Sequence, residues 1–439
     1  MIRNALMFCL LLLTVMVGLQ SAAAAERVYI DINSPAFQRF PVAVTNFQKL
    51  GGEPLKEDLS VWFSDTLSRY LDMTGYIKLI SRKAFLEDQR QFPYVAGRVH
   101  FPDWTVIGAE YLVKGAFSLT GRIIVTEFAL YDVVKGEKIL EKRYSAGLEE
   151  RRSLVQRIAQ EITQTLTGDG SVFDTKIAFV MKQGQSSNIY TINFDGSDLT
   201  KITNFKSVAL SPRWSPDGQA IVFTAYKDGN PDLYFRRLKD YGTRKISNFR
   251  GLNLAGGWSN DGRNLLLTLS KDGNEEIYQM DLSSGQLKRV TREYAIDVSA
   301  VWSPDGRRIA FVSNRSGSPQ IFIMNDDGTQ AKRLTFEGSY NTSPAWSPKG
   351  NRIAFEGRKN GRFRIFSTNE DGSNLMQIGP ETGDNESPSW SPDGRYLAFS
   401  QRGRAAGKIY IMNANGTNIR TLYENPSGCI SPSWSPRLK

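Results

Sequence analysis

The chain has a single histidine in 439 residues, only two cysteines, and only one long apolar run, which lies at its start. Each scarcity excludes something. One histidine, His100, excludes a multi-histidine metal centre and leaves a Ser-His-Asp triad one possible base. No Gly-x-Ser-x-Gly elbow, phosphate-binding loop or dinucleotide fingerprint occurs, and Gly168-x-Gly170 reads as a linker. Asp228-Gly229-Asn230-Pro231-Asp232 opens as a calcium loop does, but Leu233 stands where the sharp turn needs glycine, so an ordinary turn is expected. No metal or other cofactor is implied.

The apolar run extends from Ala5 to Val17, behind Arg3 and ahead of Ser21-Ala22-Ala23-Ala24-Ala25. A positive charge, a short apolar core and a small-residue site predict a cleaved secretory signal peptide over residues 1–25, with Glu26 as the mature start. The run is shorter than the ~20 residues that span a bilayer. Cys9 would leave with the signal, so Cys429 has no internal disulfide partner and is expected as a small buried hydrophobe. The formal charge of +10 is scattered through turns and never gathers into a basic run, which argues for a solvated surface over a nucleic-acid interface.

Six of the eight tryptophans, Trp214, Trp258, Trp302, Trp346, Trp390 and Trp434, are spaced 44 residues apart. A period of ~40–45 residues with several short strands per unit is that of a β-propeller. One clear unit runs from Ser299 to Thr335. Trp302 precedes the tight turn Ser303-Pro304-Asp305-Gly306, then come Ile309-Ala310-Phe311-Val312, Gln320-Ile321-Phe322-Ile323-Met324, the turn Asp326-Asp327-Gly328, and Lys332-Arg333-Leu334-Thr335. That is a four-stranded antiparallel meander, one blade. The first unit starts at Ile177-Ala178-Phe179-Val180 without a tryptophan strand, while Ser431-Pro432-Ser433-Trp434 stands unpaired at the other end. The last strand is therefore expected to complete the first blade and close a six-bladed ring over residues 176–439, which removes exposed strand edges. The repeat tryptophans are expected to pack between blades.

Residues 26–168 lack the repeat, and 169–175 read as a linker. Pro41–Val44, a helix from Leu55 to Met73 with Leu59, Trp62, Phe63, Leu67, Tyr70 and Leu71 on one face, and Tyr76–Ile80 predict a β-α-β start. Leu112–Ser118 and Ile123–Asp132 predict a hairpin about Thr120-Gly121, followed by a strand at Ile139–Tyr144. A closing helix carries Leu154, Val155, Ile158, Ala159, Ile162 and Leu166. The fold expected is a small α/β domain followed by an all-β propeller. His100 falls in a stretch read as a loop. Ahead of the domain, Glu26-Arg27-Val28-Tyr29-Ile30-Asp31-Ile32 alternates with Val28, Ile30 and Ile32 on one face, a strand that can pack on its own domain or extend a partner's sheet.

The Ser-Pro-x-Trp-Ser-Pro-Asp-Gly-x-x-Ile-Ala-Phe unit is similar to the WD40-like (PD40) repeat of the TolB family and of dipeptidyl and prolyl peptidase propellers. The peptidases add an α/β-hydrolase domain after the propeller, and the sequence to Lys439 shows none. Signal peptide, small α/β domain and six-bladed propeller match the TolB-like order, and Gln320–Asn341, with Arg333-Leu334-Thr335-Phe336-Glu337-Gly338-Ser339, is especially similar. The resemblance implies a periplasmic, monomeric, non-catalytic scaffold of the Tol-Pal system, which maintains the outer membrane and its invagination at division. It further implies that the propeller binds the lipoprotein Pal and that the N-terminal segment, Glu26 to Ile32 here, binds TolA. With the tryptophan strand innermost, the loops leading into it ring one mouth. The residues expected to meet Pal there are Leu252, Asn253, Ala255, Val298, Ser299, Tyr340, Asn341, Thr342, Asn385 and Glu386. The competing expectation is a carbohydrate-active or peptidase-like enzyme in the same mouth, whose mark would be a cluster of close carboxylates.

Overall fold

The computed structural model describes residues 38–438 apart from 52–57, 87–92, 95–97, 169, 171, 241, 404 and 405. The signal peptide and the Glu26–Ile32 segment lie outside the described residues.

The first domain is a mixed sheet of β1 (Phe40–Val44), β2 (Gln48–Lys49), β3 (Ile77–Leu79), β4 (Tyr111–Thr120), β5 (Ile123–Asp132) and β6 (Glu137–Gly147). Its order is β3-β1-β4-β5-β6, with β2 beside β4. The expected β-α-β start is present: β1 pairs in parallel with both β3 and β4 across helix α1 (Leu59–Met73). Alternation along each strand sorts the two faces. Val42, Val44, Val113, Phe117, Phe128 and Leu130 pack under α1 and the closing helix, whereas Ala43, Leu112, Ala129 and Tyr131 meet Trp104 on the other side.

Helix α1 starts where the Asp58 carboxylate accepts the Ser60 and Val61 amides at 3.0 and 3.4 Å, satisfying two of its orphan donors. Trp62, expected on the buried face, flanks it instead, half-buried beneath the Arg151 guanidinium at 4.5 Å. The stretch read as a loop at His100 starts a short helix, α2 (Phe101–Val106), which buries Trp104; six residues are too few to show a periodicity. The closing helix, α3 (Arg151–Thr167), buries all six of its expected apolar residues and ends at Gly168 in the left-handed region.

Six four-stranded antiparallel sheets follow. Their first strands are Ala209–Trp214, Asn253–Trp258, Asp297–Trp302, Asn341–Trp346, Asp384–Trp390 and Cys429–Trp434, each touching the next around the ring, so the tryptophan strands are innermost. The last of them pairs with Lys176–Gln183, Cys429 opposite Met181 and Trp434 opposite Ile177, and so closes the first blade as the sequence predicts. The tryptophans pack between blades: Trp434 stacks on Tyr396 of the preceding blade, and the Trp390 indole donates to the Ala345 carbonyl of the blade before it at 2.9 Å.

Each innermost strand carries a register break just before its tryptophan. In five blades a serine takes up the extra residue at positive φ: Ser211, Ser299, Ser343, Ser387 and Ser431, all between 52° and 57°. A β-bulge of this kind increases local twist, which tightly wound inner strands require.

The first domain sits against the tryptophan end of the propeller. Tyr70 Oη donates to Asp195 Oδ2 at 2.6 Å, Arg152 Nη1 lies 3.2 Å from the same carboxylate, and Arg69 Nη2 donates to the Asp195 carbonyl at 3.0 Å. Tyr396 Oη donates to the Thr74 carbonyl at 3.0 Å. One apolar cluster runs from Leu67 and Leu71 of α1 through Val172 and Phe173 to Phe179 and Trp434, so the domains share a core.

Candidate functional site

Each inner strand runs from the rim down to its tryptophan, where the Ser-Pro-Asp-Gly turn or its variant lies. The loops entering the inner strands therefore gather at the opposite end from the first domain. The rim is held by one repeated position, five residues before each tryptophan: Ala209, Asn253, Asp297, Asn341, Asn385 and Cys429, none more than 3% exposed. Asn253 Nδ2 donates to the carbonyls of Phe249 and Gly251 at 2.7 and 3.1 Å, while its Oδ1 accepts from the Phe249 amide and the Ser247 hydroxyl. Asn341 binds the Glu337 carbonyl and Gln320 Oε1, each at 2.8 Å. Asn385 donates to the Pro380 and Thr382 carbonyls. Asp297 holds Arg315 at 2.7 Å. Cys429 occupies the same place with its Sγ 3.0 Å from the Gly407 carbonyl, and burial pushes its thiol up to about 12, so it is an inert part of the clamp.

The residues expected to meet a partner thus divide. Asn253, Asn341 and Asn385 are spent on shaping their own loops, and Ala255 is buried in the core between the second and third blades. Leu252, Val298, Ser299, Thr342 and Glu386 are part-exposed, and Tyr340 is open on the rim, its ring edge-on to Phe363 at 5.8 Å. Around them stand residues that the sequence reading did not single out: Tyr226, Phe249, Tyr294, Ile296 and Phe336, with Tyr294 fully exposed and Phe336 73% exposed. Their signal was present, since each is a large apolar residue in a short turn-rich loop that has no alternation to bury it. Exposed aromatic side chains thus stand on several loops of the same rim.

Rim charges are largely paired. Arg315 bridges Glu293 and Asp297 at 3.5 and 2.7 Å, and Lys245 bridges Asp228 and Asp232 at 2.9 and 2.6 Å. Glu356 and Glu386 are a pair of rim carboxylates that feel each other's charge. Burial pushes the Glu356 carboxyl up to about 7, the Ser387 amide works against that rise, and the charge of Glu386 adds to it. Glu356 Oε2 accepts the Ser387 amide of the next blade at 2.7 Å, and Glu386 is paired with Arg402 at 3.1 Å. Glu356 thus links two neighbouring blades, and Glu386 is paired within its own. His100 lies in the first domain beside Asp103 at 3.0 Å, away from the mouth. Among the described residues no three Asp, Glu, His or Cys side chains gather as metal ligands, and no helix is long and apolar enough to cross a membrane.

The family model described as the TolB beta propeller domain matches residues 163–438, and the TolB amino-terminal domain matches residues 28–139. The chain belongs to the TolB family. The Tol-Pal system protein TolB of Syntrophus aciditrophicus is 51% identical over 212 residues, 47% of each chain. That of Desulfosudis oleivorans is 38% identical over 231 residues, 53% of each. These alignments span about half the length of the curated relatives. The crystal structure of TolB from Acinetobacter baumannii superposes with a TM-score of 0.81 at 28% identity, covering 91% of this chain and 97% of that one. As in the order expected for a TolB-like chain, the small domain precedes the ring, and its seat at the tryptophan end leaves the aromatic rim uncovered.

Proposed function

We propose that this chain is a periplasmic, non-catalytic scaffold of the Tol-Pal system that binds Pal at the propeller mouth and TolA through Glu26–Ile32. In that role it maintains outer-membrane integrity and supports invagination of the outer membrane at division. Family membership supports the system. The observation that carries the binding site is the uncovered rim of Tyr226, Phe249, Tyr294, Ile296, Phe336 and Tyr340, beside the half-exposed Leu252 and Val298. Aromatic side chains bring large contact area at small entropic cost, so such a rim suits a folded protein partner. The TolA-binding segment lies outside the described residues and rests on the family resemblance.

Calorimetric titration of the mature protein with the soluble domain of Pal from the same organism tests the reading. Saturable one-to-one binding is expected, weakened at least about tenfold by Tyr294→Asp or Phe336→Asp with melting temperature unchanged. Absence of binding at high micromolar concentration would remove the Pal assignment.

A further inference from the structure

The central channel, about 420 Å³, is lined by the Ser-Pro and tryptophan segments of all six inner strands. The position one before each tryptophan forms a single inward ring: Arg213, Gly257, Val301, Ala345, Ser389 and Ser433. Five of these are small or neutral, and the sixth is a guanidinium. Among the described residues lining the channel Arg213 is the one charged side chain, and none is acidic. Its hydrogen-bonding contact is Nη1 to the carbonyl of its own neighbour Pro212 at 3.5 Å, too long to satisfy a charged donor. Enclosure by the channel walls holds the guanidinium below the usual arginine range with no acidic group offsetting the loss of solvent.

The side chains of the ring therefore offer a cationic donor and hydroxyls but no acidic acceptor. Arginine carries five N–H donors and no acceptor. On the same ring Ser389 Oγ already accepts the Trp434 amide at 2.9 Å, which leaves its O–H to donate inward, and Ser433 adds a second hydroxyl. Gly257 next to Arg213 and Ala345 across the ring contribute no polar side chain. A cation would find no carboxylate here, whereas an oxyanion would meet a planar fork and two hydroxyls.

We propose that the propeller channel is a binding site for a small inorganic oxyanion of the phosphate or sulfate class, held by Arg213 with the hydroxyls of Ser389 and Ser433. The site lies at the tryptophan end of the channel and stands independently of the Tol-Pal reading. An anion there would neutralise a part-exposed charge that has no acidic partner in the channel, next to the seam that closes the ring, and so would stabilise closure by mass action.

The test is calorimetric titration of the mature protein with sodium phosphate in a phosphate- and sulfate-free buffer, with a parallel thermal melt. One saturable site per chain and a rise in melting temperature are expected, with affinity lowered at least about tenfold in Arg213→Met, since the charge-assisted bonds are lost. If that variant fails to fold, Ser389→Ala/Ser433→Ala decides, with a several-fold loss expected. No saturable binding up to about 10 mM phosphate, or equal affinity in the folded variant used, would overturn the proposal.

Discussion

At the scale of single residues, Glu356 shows how a buried polar group can serve assembly and cost stability at once. Its carboxyl caps the amide of Ser387, which is held at a φ of 56°, a conformation that favours glycine. Because its folded pKa of about 7 lies above the ordinary value of 4.5, the protonated form is the one that folding favours. The contribution is fully present below about pH 4.5 and is lost as pH rises towards and through 7. Glu356→Gln keeps an acceptor for Ser387 without the charge. We expect it to match the native protein near pH 4 and to exceed it at pH 8 by on the order of 2–3 kcal/mol, read from urea unfolding at both pH values. A constant difference across that range would contradict the assignment. The Asn253, Asn341 and Asn385 clamps carry a second residue-scale lesson. In the sequence they look like polar loop residues open to a partner, and only the structure shows every one of them folded under its own loop.

At the scale of elements, the propeller was legible because its determinants are local. A tryptophan, a Ser-Pro-Asp-Gly turn and an apolar triplet recur at fixed spacing, and the missing strand of the first unit reappears as Cys429–Trp434. That strand joins the two ends of the ring through pairings about 250 residues apart in sequence. Removing Cys429–Lys439 should therefore broaden the propeller's thermal transition and lower its midpoint, because the first blade is left with an open edge; calorimetry showing an unchanged, cooperative transition would refute this. Helix α2 was illegible for the opposite reason, as one and a half turns give no period to read. So was the half-burial of Trp62, because which flank of α1 meets a neighbour depends on where Arg151 arrives from a distant helix. The aromatic rim lay between these cases, its loops identified but its exposed side chains unnamed.

At the scale of the whole molecule, the two domains are joined around Asp195, whose side chain is 2% exposed. Burial acts to raise its pKa, but hydrogen bonds from Ser197 and Tyr70 and the charge of Arg152 outweigh burial and hold it below the ordinary carboxylate value. A depressed carboxyl stabilises above its unfolded pKa of about 3.9 and loses that contribution as pH falls through the folded value. The domain seat should thus loosen in acid below about pH 4. Asp195→Ala leaves Tyr70 and Arg152 without their shared acceptor and should cost about 2 kcal/mol at neutral pH, separating the melting of the small domain from that of the ring. A single unshifted transition in this variant would show that the shared apolar cluster alone couples the domains.

The arrangement that matters for function is the opposition of two faces, the small domain at the tryptophan end and the aromatic rim at the other. Hydrogen–deuterium exchange of the mature chain, alone and saturated with the soluble domain of Pal, tests that opposition directly. Slowed exchange is expected in residues 249–255, 293–299 and 336–342 of the rim loops, with the Ser-Pro-Asp-Gly turns unchanged. Protection confined to the tryptophan end, or to the sides of the blades, would contradict it.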